Sequence, residues 1–155
     1  MPWIQNCAAD DIPKGFHVAV GDNAMLIQIT DPASWRPTPK HQFKEVHHFE
    51  FLDVEAGDHV DDEEMRCSQE QADELVRLLQ HAMDNRMDVI VHCFAGICRS
   101  GAVCEVGVMM GFQDTERFRM PNLLVKHRMM KALGWTYDEN EKHNPEGWRN
   151  FTNDF

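Results

Sequence analysis

The residues best suited to do chemistry in this 155-residue chain lie in the stretch from His92 to Gly101, HCFAGICRSG. A thiol at Cys93 and a guanidinium at Arg99 enclose a short turn that contains Gly96. Glycine lets a backbone curl, and the amides of such a turn, with the positive end of a following helix, make an anion site. A guanidinium matches two oxygens of a phosphoryl group. The spacing therefore predicts a phosphate-binding loop, with binding residues Phe94, Ala95, Gly96, Ile97, Cys98 and Arg99.

Two predicted elements position this loop. The run DVIVH, from Asp88 to His92, is short, β-branched and unbroken, which is typical of a strand covered on both faces. The run from Ser100 to Gly111 is apolar nearly all round, which predicts a buried helix. In α/β folds ligands bind where strands end and helices begin, and the loop lies at that place.

The rest of the chain alternates strands with helices. The other predicted strands are 16–20, 24–30 and 45–54, and the other predicted helices are 68–83 and 121–134. Ser68 and Gln71 have the spacing of a capping box at the start of the longer helix. This order predicts one α/β domain over residues 1–155 with a mostly parallel central sheet flanked by helices. Its core is expected at about 16–134, with a C-terminal tail at 135–155.

Composition limits the classes of function. The net charge is −11, which disfavours nucleic acid as a partner because that binding depends on basic contacts to phosphates. No apolar run has the length of a membrane span, and no signal peptide is visible, so we expect a cytoplasmic protein without membrane contact. Five irregularly spaced cysteines argue against a disulfide framework. Without CxxC or helical HxxxH pairs, a metal site is the weaker interpretation of the nine histidines.

The loop suggests a particular chemistry. Backbone amides and a helix N-terminus favour the thiolate of Cys93, which is the nucleophilic form. That thiolate is able to attack the phosphorus of a bound monoester, while Arg99 and the amides carry the transition-state charge. Ser100 is placed to hydrogen-bond the sulfur and to help it leave, and His92 to orient the loop. This chemistry requires no metal and no cofactor.

The reaction also needs a proton donor from another loop at the same end of the sheet. Asp53 is the first candidate, because it lies where the strand at 45–54 ends. Asp58 and Asp61, on the acidic segment that follows, are the alternatives. For each of the three, a solvated loop carboxylate remains the competing interpretation.

The stretch HCFAGICRSG resembles the HC-x5-R-[ST] signature of cysteine-based protein tyrosine and dual-specificity phosphatases. With LIQITDP, VHHFEFLDV and MPNLLVKHRMMKALG, the chain is similar to small predicted tyrosine phosphatases of bacteria and phages. The resemblance implies a dual-specificity-phosphatase-like fold and a bacterial or phage-infected host cell. It also implies that Cys93 is the nucleophile, Arg99 the phosphate binder and Ser100 the hydroxyl that follows. The family's F-x-D pattern corresponds to Asp53.

Two further positions follow from the same resemblance. Asn122 matches a late asparagine of that group and also suits a helix N-cap. Cys98 stands where the group tends to have serine. We hypothesise that Cys98 traps an oxidised Cys93 as a reversible disulfide; the alternative is that Cys98 is a small packing residue.

The uncharged loop positions do not suit a polyphosphorylated inositol, and the acidic surface does not suit RNA. A phosphoprotein or phosphopeptide is therefore the expected substrate, with tyrosine-only and dual specificity both open. The alternative function is a phosphate-recognition pseudophosphatase module with little turnover. Hydrolysis of p-nitrophenyl phosphate distinguishes the two. The oligomeric state is not predicted.

Overall fold

A computed structural model describes residues 1–15, 19–55 and 65–135 of the chain. Its strands are β1 (Trp3–Ala8), β2 (Ala24–Thr30), β3 (Glu45–Glu50), β4 (Asp88–Cys93) and β5 (Gln113–Asp114). Its helices are α1 (Asp11–Lys14), α2 (Gln69–Asp84), α3 (Arg99–Met110) and α4 (Leu123–Ala132). The strands form one sheet in the order β3-β2-β4-β1-β5, and every pairing is parallel. The predicted fold class is confirmed.

Strand β4 lies in the middle of the sheet and carries the loop at its end. It pairs with β2 on one side and β1 on the other, which explains its continuous apolar sequence. Val89, Val91 and Cys93 pack into the larger core with α2, α3 and α4, while Ile90 packs on the opposite face with Ile12 of α1. The alternation of a strand therefore directs Cys93 towards the helices that surround its loop.

The predicted helices are confirmed, and side-chain hydrogen bonds cap the first turns of α2 and α4. The Ser68 side chain accepts a bond from the Gln71 amide at 3.0 Å, and the Gln71 side chain accepts one from the Ser68 amide at 2.9 Å. This is the predicted capping box of α2. Asn122 caps α4, because its side-chain oxygen accepts a bond from the Val125 amide at 3.1 Å.

The N-terminal strand β1 was not predicted. Its sequence WIQNCA contains Gln5 and Asn6, which interrupt the apolar pattern, yet both side chains are buried. The expected core, beginning near residue 16, thus omitted a strand that lies between β4 and β5. The predicted strand 16–20 lies mostly outside the described residues, and its last two residues, Ala19 and Val20, are not in a strand.

Strand β3 ends earlier than predicted, at Glu50 rather than Val54. The Phe51 amide still donates to the Thr30 carbonyl at 3.1 Å, but the Leu52 amide donates to the Met65 carbonyl at 2.7 Å. The backbone therefore leaves the sheet at Leu52, and Asp53 lies on an irregular segment beyond the strand. Among the described residues, no helix combines the length and apolar character that crossing a membrane requires. Nearly all of the predicted tail lies outside the described residues.

Candidate active site

Residues 93–99 form the predicted phosphate-binding loop, which we call the phosphate loop. Its carbonyl groups accept hydrogen bonds from neighbouring segments. Asn6 of β1 donates from Nδ2 to the Gly96 carbonyl at 2.7 Å and to the Phe118 carbonyl at 3.0 Å. One buried side chain thus joins the loop to the segment 115–122. Three backbone amides hold further carbonyls: Ala9 to Phe94 at 3.2 Å, Met120 to Ile97 at 3.2 Å and Asn122 to Cys98 at 3.0 Å.

The amides of the same loop remain unpaired. None of the backbone N–H groups of residues 94–99 donates a hydrogen bond to a described residue. Helix α3 begins at Arg99 and adds its positive end to the same place. The arrangement is suited to bind an anion through several N–H groups at once.

Gly96 makes the curl possible. Its φ is +75°, a conformation that side-chain-bearing residues rarely adopt. A Cβ at this position would lie 2.4 Å from the Cys7 carbonyl carbon, so the loop also packs directly on the backbone of β1. Two independent requirements thus select glycine here.

Cys93 and Ser100 lie together beneath the loop. The Cys93 Sγ and Ser100 Oγ atoms are 3.2 Å apart, and both residues are buried. A hydroxyl at this distance is able to stabilise a thiolate. The structure thus brings Cys93 and Ser100 together, and Arg99 lies beside them in the chain at the start of α3.

Arg99 is held from one side by its Nη1 atom. Nη1 donates to Asp31 Oδ1 at 2.7 Å and to the Phe51 carbonyl at 2.8 Å. The buried Nε atom has no hydrogen-bond partner among the described residues. The guanidinium edge formed by Nε and Nη2 is the edge that a bidentate phosphate contact uses. Asp31 and Phe51 therefore fix the orientation of Arg99 and leave that edge for a ligand.

The candidate acid Asp53 lies close to the loop and is exposed. Asn122 donates from Nδ2 to Asp53 Oδ1 at 2.8 Å and to the Val54 carbonyl at 3.1 Å. Glu55 follows, and its Oε1 accepts a bond from the Leu123 amide at 2.9 Å. Three consecutive residues are thus attached to the start of α4. The alternatives Asp58 and Asp61 lie outside the described residues.

Cys98 faces this acidic segment. Partial burial and the neighbouring Asp53 carboxylate, which accepts a hydrogen bond from the thiol, raise the pKa of Cys98 to about 11. Cys98 also borders a cavity of about 480 Å³ together with Asp53, Asn122, Met120 and Leu123. At neutral pH it is therefore a thiol rather than a thiolate.

One buried histidine and three buried cysteines are uncharged at neutral pH. Burial lowers the pKa of His92 to about 4. Burial also raises the pKa of Cys7 and Cys67 to about 12 and that of Cys104 well above its usual value. No group of three or more metal-binding side chains occurs in the described part of the chain.

Asp31 and Asn6 are the site residues that the sequence analysis missed. Asp31 directly follows β2, so its position at the carboxyl edge of a parallel sheet was a usable signal. Asn6 had no such signal, because its strand was not recognised. Asp31 holds the Arg99 guanidinium from the end of β2, and Asn6 holds the Gly96 carbonyl from β1. These two strands lie on either side of β4.

A protein family model matches the middle of the chain. A family model, Tc-R-P, described as a polymorphic toxin system DSP-PTPase phosphatase, matches residues 47–110. The matched segment runs from within β3 to the end of α3 and contains the whole phosphate loop. The match supports the resemblance to cysteine-based dual-specificity phosphatases that the signature of the loop carries.

A solved structure from the Orf virus resembles the chain more distantly. Described as a tyrosine phosphatase with distinct structural features and triple substrate specificity, it matches with a TM-score of 0.47 and 19% identity. The match covers 71% of this chain and 57% of that one, so this chain spans little more than half of that protein's length. No curated protein matches the chain.

Gly96→Ala tests the curl of the loop. A side chain forced into the left-handed region costs about 1–2 kcal/mol, and overpacking adds about 1–3 kcal/mol. We expect unfolding in urea to show a loss of about 2–4 kcal/mol, with vanadate binding reduced further. Gly21→Ala is the control, because a Cβ at that position would meet no atom within 4 Å. Equal vanadate affinities for both variants would contradict this role of Gly96.

Asp31 variants test the orientation of Arg99. Asp31→Ala removes the acceptor for Nη1, and we expect about tenfold weaker vanadate binding, since a hydrogen bond to a charged group contributes about 1.5–3 kcal/mol. Asp31→Asn keeps an oxygen acceptor and removes a charge that repels the anion, so its affinity should stay within about threefold of wild type. Asp22→Ala, at an exposed aspartate, is the control. Unchanged affinity in Asp31→Ala would show that Arg99 is oriented without this carboxylate.

Proposed function

We propose that this protein hydrolyses phosphomonoesters on phosphoproteins or phosphopeptides through a phosphocysteine intermediate on Cys93. One observation carries the proposal: the loop has its carbonyls bonded outwards and the amides of residues 94–99 unpaired, around a thiol 3.2 Å from the Ser100 hydroxyl. Amides in this arrangement suit the equatorial oxygens of a phosphoryl group in transfer. The family match over residues 47–110 supports the same reaction class.

In the first step the Cys93 thiolate attacks phosphorus. The S–P bond forms while the bond between phosphorus and the ester oxygen breaks, and the leaving oxygen takes a proton from a carboxylic acid. Arg99 binds two phosphoryl oxygens through its open guanidinium edge. The phosphoryl group is then on Cys93, and the dephosphorylated hydroxyl is free to leave.

In the second step water attacks the phosphocysteine. The new P–O bond forms as the S–P bond breaks, and the carboxylate formed in the first step takes a proton from the water. The products are inorganic phosphate and the Cys93 thiolate. The Ser100 hydroxyl donates a hydrogen bond to the departing sulfur, which makes the thiolate a better leaving group.

Asp53 is our candidate for the acid and base in these steps. It is exposed, and Asn122 holds one of its oxygens. The Phe51 carbonyl, two residues before it in the chain, bonds to Arg99 and joins the acid segment to the phosphate loop. Asp58 and Asp61 remain the alternatives.

The remaining features concern substrate and compartment. Phe94, Ala95, Ile97 and Cys98 bring no charge into the loop, which suits a monoester of a protein side chain better than a polyanionic lipid headgroup. The net charge of −11 disfavours nucleic acid. All five cysteines are free thiols, as in proteins of a reducing compartment, so we propose that the protein acts in the cytoplasm.

Cys93→Ser tests the proposed reaction. Wild type should hydrolyse p-nitrophenyl phosphate and be inhibited by vanadate. The variant should lose at least about 10³-fold in kcat, because a hydroxyl in this place is a far weaker nucleophile at neutral pH. Wild type without hydrolysis, but with retained phosphopeptide binding, would favour the pseudophosphatase module instead.

The pH dependence of kcat tests the acid. Asp53→Asn should lower kcat by about 10²-fold or more with a phosphoserine peptide, whose alkoxide needs the proton, and less with p-nitrophenyl phosphate. Its rate should also lose the decline at higher pH that comes from ionisation of the acid. Asp53→Asn with full turnover of both substrates and an unchanged profile would transfer the role to Asp58 or Asp61.

Cys98 is proposed as a redox partner of Cys93. Peroxide oxidises the Cys93 thiolate to a sulfenic acid, and the Cys98 thiol condenses with it to give a disulfide and water. Because the pKa of Cys98 is raised to about 11, its thiolate fraction grows about tenfold per pH unit between pH 7 and 10.

Disulfide formation after peroxide treatment should therefore accelerate with pH over this range, as followed by mass spectrometry. Wild type should regain activity with a thiol reductant, whereas Cys98→Ser should lose it irreversibly. Cys67→Ala is the control for a cysteine outside the loop. Equal recovery of wild type and Cys98→Ser would assign Cys98 to packing alone.

A further inference from the structure

A small slot lies beside the phosphate loop, on its β2 side. Its volume is about 90 Å³. The lining residues are Ala9, Ile29, Thr30, Asp31, Ser34, Trp35 and Phe94. Two of them, Trp35 and Phe94, are aromatic and exposed, with 57% and 77% of their surface accessible. We call this feature the Trp35 slot.

The Trp35 slot borders the phosphate loop directly. Phe94 is the residue after Cys93, and its carbonyl is fixed by the Ala9 amide at 3.2 Å. Asp31 is the residue whose carboxylate orients Arg99 at 2.7 Å. The slot therefore shares Asp31 with the surroundings of Arg99 and contains the residue that follows Cys93.

The segment that carries Trp35 is held on both sides. Before it, the Ser34 amide donates to the Asp31 carbonyl at 3.1 Å, closing a turn in which Ala33 has a φ of 57°. A non-glycine residue in the left-handed region is strained and persists only where its surroundings enforce it. The turn thus places Trp35 at a conformational cost.

After Trp35, the buried Gln28 side chain of β2 fastens the chain. Gln28 Nε2 donates to the Pro37 carbonyl at 2.8 Å, and Gln28 Oε1 accepts from Arg36 Nε at 2.7 Å. Trp35 is therefore a large apolar side chain on a fixed backbone that leaves 57% of its surface in water. Exposed aromatic surface next to a polar site is typical of a binding surface.

We propose that the Trp35 slot receives the ring of an aryl phosphate and makes the site selective for phosphotyrosine over phosphoserine and phosphothreonine. The proposal rests on the proposed function of the phosphate loop and adds the class of phosphorylated side chain. In phosphotyrosine the ring begins at the ester oxygen, so it reaches the rim of the loop, where Trp35 and Phe94 lie. In phosphoserine the ester oxygen is followed by a methylene group and not by a ring.

The size of the slot fits one part of a ring. An enclosed cavity of about 150 Å³ holds a whole benzene molecule. The slot, at about 90 Å³ and with exposed walls, has room for one edge or face of a phenyl group. Contact between aromatic rings adds to simple burial of apolar area, with offset or edge-to-face geometry preferred.

The test compares binding of two peptides that differ only in phosphotyrosine or phosphoserine. It uses calorimetry on Cys93→Ser, which retains the loop and does not turn the peptides over. Trp35→Ala in this background should bind the phosphotyrosine peptide about tenfold more weakly. It should bind the phosphoserine peptide within about twofold of the parent, because that peptide has no ring for the slot. Trp35→Phe should restore most of the lost affinity.

Phe118→Ala is the matched control, because Phe118 is an exposed aromatic residue that does not line the slot. It should change neither affinity. Equal weakening of both peptides by Trp35→Ala, no weakening of either, or the same selective loss in Phe118→Ala would overturn the proposal. Since binding is measured without turnover, an inactive wild-type enzyme would contradict the proposed function and leave this test of the slot valid.

Discussion

The proposed site depends on one constraint: four carbonyl groups of the phosphate loop are bonded to neighbouring segments, while the amides of residues 94–99 stay unpaired among the described residues. Asn6 of β1 holds Gly96, the Ala9 amide after β1 holds Phe94, and the segment 115–122 holds Ile97 and Cys98. A free loop would pair its own N–H and C=O groups or expose them to water. The parallel sheet makes the constraint possible, because β1 lies beside β4 and ends at the same edge.

Positive and negative groups around the loop have different roles. In a protein with a net charge of −11, the anion site obtains its positive potential from Arg99, unpaired amides and the start of α3. Three carboxylates near the loop accept hydrogen bonds from protein groups. Asp31 accepts from Arg99, Asp53 from Asn122 and Glu55 from the Leu123 amide. Each of these carboxylates is thus held by a defined hydrogen bond. The bonds of Arg99 to Asp31 and to the Phe51 carbonyl join the segments after β2 and β3 to the loop.

The proposed chemistry of the loop could be predicted from the sequence because its residues are close together in the chain. Cys93, Gly96, Arg99 and Ser100 lie within eight consecutive residues, and the flanking strand and helix have clear apolar patterns. Asp31 and Asn6 were missed because they reach the loop through tertiary structure, 68 residues from Arg99 and 90 from Gly96 along the chain. Strand β1 escaped recognition since its buried polar residues interrupt the apolar pattern, and one of them, Asn6, serves the site. The early end of β3 likewise depends on a bond from Leu52 to Met65 that no local pattern indicates.

Detection of phosphate on Cys93 tests the proposed phosphocysteine intermediate most directly. Ser100→Ala should slow the second step more than the first, so the intermediate should accumulate with p-nitrophenyl phosphate. Acid quenching, digestion and mass spectrometry should then find one added phosphoryl group on the peptide that contains Cys93. We expect this group on Cys93, together with a burst of one p-nitrophenolate per enzyme molecule. Steady hydrolysis without a burst and without phosphate on Cys93 would contradict it.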